Sequence, residues 1–144
     1  MNYYSESSKR KLETCHSDLR VLFAHIIPDY DNTVVWGFRG RGDQDKAFAE
    51  GNSTLKWPNS KHNRQPSWAV DVAPYEEGTG IDWKFDQALY FSGYVIGIAD
   101  LLYRTGVISH RIKSGIDWDK DNDINDTKFK DPLHFEIIPN ETDT

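Results

Sequence analysis

The chain has 144 residues, a formal net charge of −6, 28% charged residues and 38% hydrophobic ones, 13% of the total being aromatic. That length sets one domain, residues 1–144, as the expectation, with roughly 70% of the unfolded surface buried on folding. A lone cysteine, Cys15, excludes an internal disulfide and a multi-cysteine zinc site, and an acidic chain with no basic run beyond Lys9-Arg10-Lys11 is expected to have no nucleic-acid partner.

The segment 5–27 predicts one amphipathic helix, because Leu12, Cys15, Leu19, Leu22, Phe23 and Ile26 recur at helical spacing and Pro28 follows. Thr33 to Arg39 is β-branched and aromatic and predicts a strand. A short helix is expected over Asp43 to Glu50, then a polar loop over 52–68, and a short strand over Ala69 to Ala73 that Pro74 stops. Phe85 to Tyr103 predicts a long central helix. Its apolar run is broken by Ser92, two glycines and Asp100, short of the ~20 residues that span a bilayer, so no membrane insertion is expected. One more strand is expected within 107–118, an acidic loop over 117–131 and a final strand over Leu133 to Ile138. This order specifies an α+β domain with a small, mostly antiparallel sheet and helices packed on it. The first residues lack a basic start followed by an apolar run, which leads us to expect synthesis in the cytoplasm without a signal peptide.

Strand alternation places Val70 and Val72 on one face and Asp71 on the other. In the last strand, Leu133, Phe135 and Ile137 oppose His134 and Glu136. If both apolar faces join one core, Asp71 and His134 face the same side. The loop before Asp71 is long enough to fold His62 back beside it. Two imidazoles and one carboxylate would leave a fourth position for water, the form of a catalytic zinc site. Asp131, at the loop–strand junction, is the candidate base. A polar sheet face is the competing reading. His16 is expected to pack against or cap the first helix, and His25 and His110 to lie on the surface. In the loop, Asp117, Asp119, Asp121 and Asp123 alternate as calcium ligands can, yet the register lacks the glycine and glutamate of an EF-hand, so any calcium site there would be weak and regulatory.

These residues fall in a longer series: Gly37-Phe38-Arg39, Gln44, Ser60-Lys61-His62, Ala69-Val70-Asp71, Gly115-Ile116-Asp117-Trp118 and Asp131-Pro132-Leu133-His134. In that order the chain resembles the VanY-type zinc peptidases of bacterial cell walls, in particular the branch of phage L-alanyl-D-glutamate endopeptidases. The resemblance runs over residues 8–138. It implies the LAS-type fold shared by hedgehog and D-Ala-D-Ala peptidases, with His62, Asp71 and His134 as zinc ligands and Asp131 as the base. It implies that Arg39 stabilises the oxyanion, with Arg41 as the fallback, that Trp118 lines the cleft or packs in the core, and that Gln44 holds the short helix. Two departures stand out. Eight residues separate His62 from Asp71 where the common family form has six, and the base is Asp where the carboxypeptidases often have Glu. The second favours the endopeptidase branch.

The expected function is that of a zinc-dependent endolysin acting as a monomer. It would cleave the L-alanyl-D-glutamate bond of the peptidoglycan stem peptide at the cell wall, after release from the host cytoplasm. The alternatives are a D-alanyl-D-alanine carboxypeptidase and a non-catalytic zinc-containing binder of wall peptides.

Overall fold

The computed structural model describes residues 1–143. Ser5 caps helix α1 (Glu6–Glu13), its hydroxyl accepting from the Ser8 amide. Helix α2 (Ser17–Ile26) starts afresh, so the expected single helix is two. The break has a local cause. The His16 amide donates to the Ser67 carbonyl and the Ser67 amide to Thr14, and His16 Nδ1 then accepts the Asp18 amide as the α2 cap. The capping reading of His16 therefore holds.

Strand β1 (Asn32–Trp36) is shorter than expected. At Gly37 the chain passes against the Lys11 carbonyl and the Thr14 hydroxyl so closely that no Cβ fits. It leaves the sheet there, and the Arg39 amide donates to the His62 carbonyl at 2.8 Å. Helix α3 (Arg41–Ala49) follows. Strand β2 (Ala69–Glu76) runs through Pro74, because its pairing with the last strand ends at Asp71 and the missing N–H costs no ladder bond on that side. A two-residue strand β3 (Gly80–Ile81), unanticipated from the sequence, pairs with its end. Helix α4 (Phe85–Arg104), strand β4 (Ile112–Gly115) and strand β5 (Asp131–Ile137) complete the chain.

The sheet order is β1-β2-β5-β4, with β3 beside β2, and the named strand pairs are antiparallel. Helices α2 and α4 cover one face. Leu19, Leu22, Phe23 and Ile26 meet Phe91, Val95 and Ala99 over Val70, Val72, Phe135 and Ile137, all nearly or fully buried. Phe135 meets Phe23 and Phe91 edge-on, with ring centroids 5.6 and 6.1 Å apart. Burying each such side chain contributes about 1.5–3 kcal/mol. The alternation that buries these residues turns Asp71 and His134 to the opposite face. The expected fold class is the one observed. No described helix is long and apolar enough to cross a membrane.

Candidate metal centre and cleft

The antiparallel register sets Asp71 directly opposite His134. Asp71 Oδ1 lies 3.0 Å from His134 Nδ1 and 3.2 Å from His62 Nε2. His62 arrives on a short 3-10 turn, Lys61–Asn63. Ser60 begins that turn: its hydroxyl accepts the His62 amide and its own amide donates to Asn63 Oδ1. The Ser-x-His spacing is thus a capping requirement.

Each imidazole is fixed from behind. The Gly37 carbonyl lies 2.8 Å from His62 Nδ1 and can only accept, so Nδ1 carries the hydrogen and Nε2 offers its lone pair. Glu136 Oε1 lies 2.9 Å from His134 Nε2 in the same way, which frees Nδ1. One ligand atom from each of His62, Asp71 and His134 lies within 4.8 Å of the others.

The electrostatics agree. Burial works to raise the Asp71 carboxyl, but the charges and hydrogen bonds of His62 and His134 outweigh it and hold it far below the usual range. Burial works to lower His134, yet carboxylates at both its nitrogens push it up to about 10. The site therefore favours a positive charge among these groups, and a metal cation can supply it in place of protons. The residues present fit a divalent ion.

Glu136 is itself braced. Burial would raise it, but the His134 hydrogen bond and Lys61 Nζ, 2.6 Å from Oε2, bring it down to about 2. Neither Glu136 nor Lys61 is among the residues expected at the site from the sequence. The signal was present as a second acidic residue two places after His134, on the same face of the strand.

Asp131 opens β5 and lines the cleft. Burial, and secondly the Asp71 charge, raise its carboxyl. Across the β4–β5 irregularity its partner is Gly115, where an added Cβ would collide with the Asp131 carbonyl. Arg39 is 6% exposed. Its Nη2 lies 3.3 Å from Asp71 Oδ2 and its Nη1 3.2 Å from Gln44 Oε1, and its guanidinium sits over the Trp36 ring. Its Nε has no partner among the described residues. Gln44 is fully buried and also donates to the Leu55 carbonyl and Ser53 hydroxyl, so it ties α3 to the following loop as well as to Arg39. Arg41 points away and pairs with Asp45 at the exposed surface, so it does not take the fallback role. Trp118 is a cleft residue: its ring centroid is 5.4 Å from that of His134, and its indole N–H donates to the Phe129 carbonyl at 2.7 Å.

One expectation about another group changes. His25 is exposed as expected, but His110 is buried. Its Nδ1 lies 2.8 Å from Asp18 Oδ2 and its Nε2 2.9 Å from Asp143 Oδ2. His16, Asp18 and His110 gather as closely as ligands would, but Asp18 Oδ2 already accepts from the Ser109 amide and hydroxyl and meets His110. That cluster is a structural one. In the acidic loop, Asp117, Asp119 and Asp121 also converge, and they accept from backbone amides of the loop itself.

A His–Asp–His cluster on the open face of an antiparallel sheet, with a carboxyl and an arginine beside it, is a layout compatible with a metal ion in a hydrolytic site. The profile of the phage L-alanyl-D-glutamate peptidases matches residues 1–138, and the chain belongs to that family. It is accordingly a peptidase of bacterial peptidoglycan. Among solved structures it is similar to the Serratia marcescens L-Ala D-Glu endopeptidase ChiX, with 20% identity and a TM-score of 0.69 over 94% of this chain and 89% of that one. At that identity the likeness speaks for the fold. No curated protein matches the sequence.

Proposed function

We propose that the chain is a single-domain, monomeric zinc endopeptidase that cleaves the L-alanyl-D-glutamate bond of the stem peptide, with His62, Asp71 and His134 holding the ion. The observation that carries this reading is the convergence of one ligand atom from each of His62, Asp71 and His134 within 4.8 Å, with the Gly37 carbonyl and Glu136 engaging the far nitrogens of the two imidazoles. A bound divalent ion would supply Lewis acidity, lowering the pKa of water and polarising the scissile carbonyl. Asp131 takes the proton from the attacking water and returns it to the departing D-glutamyl nitrogen. Its raised carboxyl suits both transfers. Arg39 stabilises the negative charge that develops on the carbonyl oxygen. Asp71 holds that guanidinium at the site, and Trp36 and Gln44 limit its movement.

The test is digestion of purified peptidoglycan with the zinc-loaded protein, the new termini being read by mass spectrometry. Peptides beginning with D-glutamate, with L-alanine left on the glycan, support the proposal. Release of single D-alanine moves the assignment to a carboxypeptidase. Absence of new termini, with the ion bound, leaves a wall-peptide binder.

A weak regulatory calcium ion at Asp117, Asp119 and Asp121 is the second reading, favoured by the convergence of three carboxylates on the loop that carries Trp118. Calcium titration that alters neither loop mobility nor activity rules it out.

A further inference from the structure

The cleft has two lobes that meet at Arg39, Asn52, Asp71 and Asp131. One, of about 440 Å³, is lined by Thr54, Asn59 and Ser60 together with Trp118 and Phe129. Its one lysine, Lys61, is engaged by Glu136 and by the Ile137 carbonyl, each at 2.6 Å, and offers little free charge to a ligand. The other, of about 420 Å³, is walled by Trp36 and Trp83 and rimmed by Asp43, Lys46 and Glu50. There Lys46 reaches Glu50 only at 4.0 Å, with its side chain 72% exposed, so its ammonium is free to take a ligand.

The two halves of the substrate differ in the same way. On the carbonyl side, L-alanine is joined to the lactyl group of a muramic acid, a neutral sugar with hydroxyls, an acetamide and apolar ring faces. Amides, hydroxyls and aromatic rings suit such a group. On the leaving side, the D-glutamate keeps a free α-carboxylate beside the scissile nitrogen, and the remaining stem peptide carries further charges. Ionic groups of both signs suit that half.

Resting on the endopeptidase reading, we propose a direction of substrate binding. The Trp118–Phe129 lobe holds the muramyl-L-alanyl half, and the Lys46 lobe holds the leaving half, with Lys46 recognising the D-glutamate α-carboxylate. The scissile bond then lies over the junction, where Asp131 reaches the leaving nitrogen and Arg39 the carbonyl oxygen. The binding energy would come from the cleft's own walls, which matters for an acidic chain meeting an anionic wall.

The experiment compares kcat/KM on three substrates: a disaccharide-linked stem peptide, the same peptide with N-acetyl in place of the sugar, and that glycan-free peptide with D-isoglutamine in place of D-glutamate. Phe129→Ala is expected to reduce the preference for the sugar-bearing substrate about five- to tenfold, the size of one lost aromatic contact. Lys46→Ala is expected to slow cleavage of the D-glutamate peptide about tenfold relative to the D-isoglutamine one, because amidation removes the carboxylate that Lys46 meets. Both side chains are substantially exposed, so their removal leaves the fold intact, which circular dichroism and zinc content check. Phe129→Ala acting equally with and without the sugar, or Lys46→Ala acting equally on both acids and amides, overturns the proposed direction while the endopeptidase reading stands. Wild type cleaving none of the three overturns both.

Discussion

Glu136 Oε1 lies 2.9 Å from His134 Nε2, two residues along the same strand. The contact is possible because residues i and i+2 of β5 point to one face. It orients the ring and fixes the nitrogen that bears the hydrogen, so Nδ1 meets Asp71. Lys61, beside His62 in sequence, completes the brace from the other arm of the centre.

Loss of that brace is expected to weaken the centre before it weakens the fold. Glu136→Gln keeps the shape but removes the charge, and metal affinity should fall about 10- to 100-fold, as when other outer-shell partners are lost. Competition with a zinc chelator reads this directly. Unchanged affinity would refute the orienting role. Full removal of the ion by chelation should abolish hydrolysis, and zinc should restore it.

Asp131→Asn should separate binding from chemistry. Hydrolysis should fall by about 10²- to 10⁴-fold, the usual range for a lost general base, while zinc content stays at one ion per chain. Gly115→Ala should reproduce part of this loss with every reacting group present, because its methyl would displace the Asp131 backbone. Full activity in Gly115→Ala would show that the β4–β5 irregularity does not place the base.

Arg39→Lys preserves a positive charge but loses the planar fork that reaches Asp71 and Gln44 together. A drop in kcat of about 10²- to 10³-fold is expected, as for a lost oxyanion donor, with a much smaller change in KM. A change confined to KM would instead assign Arg39 to substrate binding alone.

The sequence carried the centre better than its surroundings. Period-two alternation put Asp71 and His134 on one face, and the strand register bears that out. The length of the polar loop allowed His62 to return, but nothing local indicated that Gly37 would receive it, since that contact depends on the packing of α1 against the end of β1. The break between α1 and α2 was hidden because Cys15 and Leu19 keep helical spacing across it. What breaks the helix is a backbone exchange with Ser67, far along the chain. The burial of His110 is not legible locally for the same reason: both of its partners, Asp18 and Asp143, are distant in sequence.

His110 gives the stability a pH dependence separate from that of the His62–Asp71–His134 cluster. It bridges the first turn of α2 to the chain's end, where Asn140 also donates to the Ser109 carbonyl. Burial works to lower its pKa, but the hydrogen bonds to Asp18 and Asp143 outweigh this and raise it above the ordinary imidazole value of 6.5. His16, ring to ring with His110 at 5.1 Å, is lowered, chiefly by burial. A group whose pKa is raised on folding binds its proton more tightly in the folded state. Its contribution is complete below 6.5 and fades as the pH climbs through the folded-state value. His110→Ala should therefore destabilise the fold most in mildly acidic solution, where the imidazolium meets both carboxylates. The gap from wild type should narrow steadily toward alkaline pH. Urea unfolding of the two proteins across that range measures it, and a gap that stays constant or widens with pH would show that His110 is not held as an imidazolium.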